Sequence, residues 1–269
     1  MNTLVRIVLS FIVLTSVLLF SQTEAKNAPP NDRHNLTTTP VEANSKPSKK
    51  SIHLGEFGIA AKASLLGGGV EVATPVTMRS NVRAGFNLFR LSRSLTDNNI
   101  QYQGQLNLKS IETHYDIFPF KGRFHISPGL LLNMGNAATV NAVVPQGQSF
   151  DLDHMTYISD PSKPVTGVGT VKFHHAAPML TMGFGNLISR NPEKHFSVPF
   201  EVGFAYMGSA KATLSMAGNA CDVDGGNCRN VATDKTVQNQ LLVQQGKINT
   251  SMSPYKLYPI VSLGFGYKF

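Results

Sequence analysis

The sequence predicts an all-β chain: a closed antiparallel transmembrane β-barrel of eight strands, with ten as the alternative count. Three observations predict it. The carboxy-terminal segment alternates in hydropathy with a two-residue period, an export signal is followed by no second long apolar run, and the connections between strands alternate short and long.

The last segment carries the alternation most clearly. Tyr255, Leu257, Pro259, Val261, Leu263, Phe265, Tyr267 and Phe269 share one parity, and Lys256, Ser262, Gly264, Gly266 and Lys268 share the other. Successive side chains on a strand point to opposite faces, so one face suits lipid and the other a lumen. At the other end, Arg6 precedes an apolar run from Ile7 to Phe20, and Thr23-Glu24-Ala25 forms a small-x-small cleavage site. That run is about 14 residues, short of the roughly 20 that a spanning helix needs. Residues 1–25 therefore read as a signal peptide. Residues 26–51, rich in Pro, Thr and Lys, read as a solvated periplasmic tail, and residues 52–269 as the barrel. With no later apolar helix, the chain can satisfy its backbone in a bilayer only as strands.

Composition agrees. Charged residues make up only 15% and there is no Trp, so the Lys- and Glu-rich surface of an ordinary secreted domain is missing. The net charge of +8 suits phosphate-bearing lipopolysaccharide or anionic solutes, and equally a cationic tail with scattered loop charges. Nothing in the chain calls for a nucleic-acid partner, a cofactor or a metal.

The elements follow in order. Phe57, Ile59, Ala61 and Ala63 alternate with Gly58, Ala60, Lys62 and Ser64, and after a bend at Leu65–Gly69 a second strand runs through Val70, Val72, Thr74 and Val76. Val82, Ala84, Phe86 and Leu88 mark the third. The fourth, 104–118, has Leu106 and Leu108 on one parity but Ile111, Thr113, Tyr115 and Ile117 on the other, which reads as a bulge. Residues 124–133 alternate cleanly, 170–185 slip around His174, His175 and Ala176, and 196–206 and 255–269 complete the eight. Strands around Ala212–Met216 would raise the count to ten. Short turns are expected at Thr77–Asn81, Pro119–Gly122 and, more modestly, Asn186–His195. Longer outer loops are expected at Ser92–Gln103, Gly135–Gly169 and Gly208–Pro254.

Charged groups recur on the lumen parity: Lys62, Glu71, Arg83, Glu112, His114, Asp116, Arg123, His125, Glu201, Lys256 and Lys268. An eight-stranded barrel encloses little beyond its own side chains, so these groups are expected to pair internally in place of an apolar core. A narrow solute path is the alternative. Cys221 and Cys228 flank a Gly-rich turn, and in an exported chain this spacing reads as a disulfide pinning the tip of the longest outer loop. The Asp222-x-Asp224-Gly225 between them lacks the distal Glu of a calcium loop. Asp234–Asn249 reads as a short amphipathic helix over the barrel mouth.

Two chemical readings compete with a structural one. His125-x-Ser127 places an imidazole and a hydroxyl on one strand face, as a lipid hydrolase would, but both share the lumen parity and no acidic residue follows before Asp151. His154, His174 and His175 could suggest a metal, yet adjacent histidines on a strand point to opposite faces.

Arg83-Ala84-Gly85-Phe86-Asn87, Tyr115-Asp116-Ile117-Phe118-Pro119-Phe120, Phe124-His125-Ile126-Ser127-Pro128-Gly129 and Tyr258-Pro259 through Phe269 resemble the small outer-membrane β-barrel superfamily of Gram-negative bacteria, the OmpA-like and OmpW-like group. The resemblance implies residence in the cell outer membrane, among its lipids and lipopolysaccharide, as a monomer. It implies that Leu263, Phe265, Tyr267 and Phe269 form the signal read by the barrel-assembly machinery after escort by periplasmic chaperones. It does not imply an activity, because that superfamily includes passive anchors, adhesins, narrow channels and a few enzymes. The function expected is structural or surface recognition without catalysis. A narrow channel and a lipid-modifying enzyme stand as alternatives.

Overall fold

The computed structural model describes residues 56–269, apart from Lys121, Asn136 and Pro192. The signal peptide and the tail read from the sequence lie outside the described residues.

In chain order the strands are β1 (Gly58–Ser64), β2 (Gly67–Thr77), β3 (Ser80–Asp97), β4 (Ile100–Ile117) and β5 (Phe124–Asn133). Then come β6 (Ala137–Val143), β7 (Ser149–Leu152), β8 (Met155–Ser159), β9 (Thr166–Lys172) and β10 (Ala176–Phe184). The chain ends with β11 (Phe196–Ser197), β12 (Phe200–Tyr206), β13 (Lys211–Ala217), β14 (Asn219–Cys221), β15 (Arg229–Asn230), helix α1 (Lys235–Met252) and β16 (Leu257–Lys268).

Eight of these strands, β1, β2, β3, β4, β5, β10, β12 and β16, pair antiparallel in that order, and β16 closes on β1 with Lys62 opposite Gly264. Closure removes the free edges that a bilayer cannot solvate. The outward parity is mostly apolar and exposed: Val70, Val72, Phe86, Leu88, Phe200, Phe204, Leu263 and Phe265 all belong to it. Rings gather at the inner rim, where Phe57 stacks on Phe269 at 4.9 Å and Phe196 meets Tyr267 edge-on at 5.1 Å.

The structure corrects four sequence expectations. There is no bulge in the fourth strand, because β3 and β4 stay in register from Ser80–Ile117 to Asp97–Ile100; the register shift lies between Pro75 and Thr77 instead. The expected outer loop Ser92–Gln103 is itself hairpin, turning through Asn98 and Asn99, both at positive φ as a two-residue turn of this hand requires. The strand at Lys211–Ala217 exists but pairs with β9 outside the barrel, so the barrel count stays at eight. The slip at His174–Ala176 is a break: β9 belongs to an outer sheet, and only β10 belongs to the wall.

Beyond the barrel, β4 exchanges partners. Its lower half, Ser110 downward, pairs with β5, and its upper half, Asn107 upward, pairs with β6. The sheet continues through β9 to β13, while β7, β8, β14 and β15 form a second sheet. Between them lies an apolar core of its own, including Phe150, Tyr157, Val165, Val231, Val237 and Leu241. The helix starts where Asp234 accepts from the backbone N–H groups of Thr236 and Val237. Its buried face is Val237, Leu241 and Ile248, at helical spacing.

That helix lies along the edge of the outer sheet. Gln245 Oε1 accepts from Leu214 N at 3.0 Å, and Asn249 Oδ1 accepts from Ala212 N at 2.8 Å. Residues four apart on the helix thus match residues two apart on the strand, and they occupy the open edge of β13 with side-chain amides. The Cys221–Cys228 disulfide forms as expected. It closes a loop short enough to contribute roughly 2 to 3 kcal/mol. Nearby, the backbone N–H and hydroxyl of Ser162, together with the Asn219 amide, hold the Asp160 carboxyl below its ordinary range.

Candidate functional site

The barrel interior is filled in three tiers. At the inner end, the turn after β10 folds back into the mouth: Leu187 and Ile188 pack against Ala60 and Ala73. Arg190 Nη2 donates to Thr77 O at 2.6 Å and to Asn81 Oδ1 at 2.8 Å, while Asn81 Nδ2 donates to Asn186 Oδ1 at 2.9 Å. Lys268 Nζ donates to the carbonyls of Ser189 at 3.0 Å and Asn191 at 3.3 Å. These three residues clamp the turn into the opening.

The middle tier is ionic. Arg83 reaches three carboxylates: Nη1 is 2.9 Å from Glu71 Oε1, Nε is 2.7 Å from Asp116 Oδ2, and Nη2 is ion-paired with Glu201. Lys62 pairs with Glu112 and lies 3.3 Å from Glu71. His125 Nε2 is 2.9 Å from Glu201 Oε1, and Ser127 Oγ donates to Asp116 Oδ1 at 2.6 Å. His114 Nε2 is 3.8 Å from Glu112 Oε2. The register explains why these groups meet. Glu71, Gly85 and Glu112 lie in one row across β2, β3 and β4, and a Cβ at position 85 would come within 2.9 Å of Glu112 Oε1. The glycine leaves the space the carboxylate occupies.

At the outer end the filling is apolar. The turn between β1 and β2 is only Leu65–Leu66, and Leu66 bends inward onto Leu131, Met179, Met207 and Ile260. Tyr258 Oη donates to Leu65 O at 2.7 Å, and Leu66 N donates to Ser64 Oγ at 3.1 Å, which fixes the fold-back. In the sequence this segment is a bend with no sign that it plugs the barrel. The helix expected over the mouth packs on the outer sheet instead.

Of the residues expected in the lumen, Lys62, Glu71, Arg83, Glu112, His114, Asp116, His125 and Glu201 converge in the ionic tier. Arg123 and Lys256 do not: both are exposed, Arg123 just before β5 and Lys256 just before β16. Parity gives a face but no height along the wall, so it also assigns to the lumen residues that lie beyond a strand end. His174 and His175 are exposed in the break between β9 and β10, and His154 lies 3.3 Å from Lys247 Nζ.

Two buried groups, Glu71–Glu112–His114 and Asp116–His125–Glu201, could each bring three metal-ligating atoms within 4.8 Å of one another. In both, the carboxylates already face Lys62 or Arg83. Ser127 is fully buried, with its hydroxyl committed to Asp116. His125 and Ser127 thus each hold a carboxylate, of Glu201 and Asp116 respectively.

No known protein family matches the chain by sequence, and no curated protein does either. Solved structures do resemble it. Acinetobacter baumannii CarO2 aligns at 21% identity and a TM-score of 0.50 over 80% of this chain and 98% of that one. Acinetobacter baumannii CarO aligns at 19% and 0.49 over 79% and 97%, and a major outer membrane protein from Thermus thermophilus at 15% and 0.34 over 81% and 100%. At 21% identity the likeness to CarO2 speaks to fold alone. Joined to the closed register, the outward apolar band and the ionic interior, that likeness makes this chain a closed eight-stranded antiparallel β-barrel with a lipid-facing wall.

Proposed function

We propose that the protein is a sealed barrel that anchors a folded outer platform in the membrane, serving a structural or surface-recognition role without catalysis. The observation that carries this is the filling of the interior at all three heights, with Leu66, Leu131, Glu71, Glu112 and Ile188 each at most 2% exposed. A lipid chain has no path to Ser127, and a solute would have to break the Arg83 ion pairs to pass. The burial of the His125 and Ser127 side chains in the ionic tier favours a packing role for that pair. In the same reading the protein works as a monomer, and Leu263, Phe265, Tyr267 and Phe269 are what the barrel-assembly machinery reads.

Planar-bilayer recording tests the proposal. The folded protein is expected to give no steady single-channel current under moderate applied voltage. Sustained open-level currents, abolished by boiling the sample, would replace the sealed barrel with a channel.

A further inference from the structure

The outer sheet has an outward face that is continuous with the lipid-facing wall. Direct antiparallel partners share a face, so the register alone defines its rows. Leu88, an exposed aliphatic, and Lys109 oppose each other in the row just below the point where β4 exchanges β5 for β6. One step up, Arg90 is opposite Asn107, Asn107 is opposite Ala137, Ala137 is opposite Lys172, and Lys172 is opposite Lys211. Arg90, Lys172 and Lys211 are exposed, and among the described residues none of the three is ion-paired to a carboxylate.

Two features of this row call for an anion. Lys172 and Lys211 stand directly across from each other, an arrangement that like charges make unfavourable. The row also lies one strand step, about 7 Å along the strand, above the Leu88 row, where β4 leaves the barrel wall, which puts it at headgroup height. With strands about 4.8 Å apart, Arg90 and Lys172 are separated by roughly 14 Å, a span for separate phosphates on one headgroup.

Above the basic row the face changes chemistry. Ser92, Gln105, Thr139, Thr170 and Thr213 form the next row, and Ser94, Gln103, Asn141, Val168 and Ser215 the one above it. The face there carries hydroxyls and amides and, among the described residues, no charge, with Val168 and then Val143 as exposed apolar residues in the two rows above; the opposite face of β13 carries Leu214 and Met216 against the platform core. Phosphate-binding cations at headgroup level beneath a hydroxyl and amide surface match the layering of a phosphorylated glycolipid: phosphates at the membrane surface, sugars above.

We propose that this face binds a phosphorylated glycolipid of the outer leaflet, with Arg90, Lys172 and Lys211 on its phosphates and the Ser, Thr and Gln rows against its sugars. The assignment rests on the reading above that the platform is on the outer side of the membrane.

The test uses the full chain folded in phosphatidylcholine vesicles and titrated with labelled lipopolysaccharide or its dephosphorylated form. Arg90→Gln with Lys172→Gln and Lys211→Gln is expected to weaken binding of the phosphorylated lipid by about tenfold or more, with a shallower salt dependence. Dephosphorylation should weaken wild type as much. Lys163→Gln with Lys194→Gln and Lys235→Gln removes the same charge elsewhere and should leave binding near wild type. A triple variant that binds normally, a control that loses as much, or undiminished binding of the dephosphorylated lipid each overturns the proposal. If the first triple does not fold, as judged by heat-modifiable gel mobility, Arg90→Gln and Lys211→Gln are read singly against the same two lipids. A current-free barrel indifferent to phosphate sinks this site alone, whereas steady currents with intact phosphate-dependent binding sink only the sealed barrel.

Discussion

Arg83→Met is expected to lower the unfolding free energy in detergent micelles by about 3–5 kcal/mol, or to prevent the barrel from reaching its compact form. The guanidinium serves Glu71, Asp116 and Glu201 together, and all four groups are buried. Removing it leaves four carboxylates in the tier against Lys62 alone, an uncompensated charge where water cannot screen it. Lysine should rescue only in part, because an ammonium cannot present a planar fork to three acceptors at once. Combining Arg83→Met with Glu71→Gln and Glu201→Gln should restore much of the loss, since the penalty comes from unpaired charge rather than from the missing pair itself. Urea titration followed by gel mobility reads all of these, and a single Arg83→Met variant of wild-type stability would refute the ionic tier.

Leu66→Ala is expected to cost about 2–5 kcal/mol, an effect of core size from a residue in a two-residue turn. Leu66 is 1% exposed and packs among Leu131, Met179, Met207 and Ile260. Its truncation leaves a void at the outer end of the lumen that the rigid wall cannot collapse to fill. Leu88→Ala, on the outward face and 42% exposed in the protein alone, should cost far less, because lipid replaces the lost contacts. Equal effects from the two substitutions in urea titrations would place Leu66 outside the barrel.

The wall was legible in the sequence wherever lipid lay on one side and polar groups on the other. Phe86, Leu88, Phe200, Phe204, Leu263 and Phe265 all face outward as their parity indicated. Legibility failed where the strands leave the membrane, because the two faces exchange chemistry there. In upper β4 the outward residues are Gln101, Gln103 and Gln105, and Leu108 on the inner parity is buried. That inversion mimics a bulge in hydropathy although the backbone register never shifts. The upper part of β3, with Ser92, Ser94 and Thr96 outward, has no dyad pattern and resembles a loop for the same reason.

The charged interior was legible by face but not by partner. Parity puts Arg83 inside, yet Glu201, one of its three carboxylates, reaches it across the barrel from β12, a pairing that no local pattern encodes. Gln245 and Asn249 give only a Gln-rich, mildly helical signal; their work on β13 depends on a strand more than 30 residues earlier in the chain. Leu66 was invisible because a buried apolar residue in a tight turn looks like any other residue of a bend.

The chain has no Trp, so a single substitution supplies a clean optical reporter of which way each wall residue points. Phe86→Trp and Phe204→Trp, on the outward parity, Tyr258→Trp, on the inward parity, and Phe150→Trp, in the platform core, are to be folded into vesicles containing brominated lipid. The outward pair should be strongly quenched and the other two should not. Equal quenching at Phe204→Trp and Tyr258→Trp, or none at Phe86→Trp, would contradict a sealed cylinder with its apolar face in the bilayer.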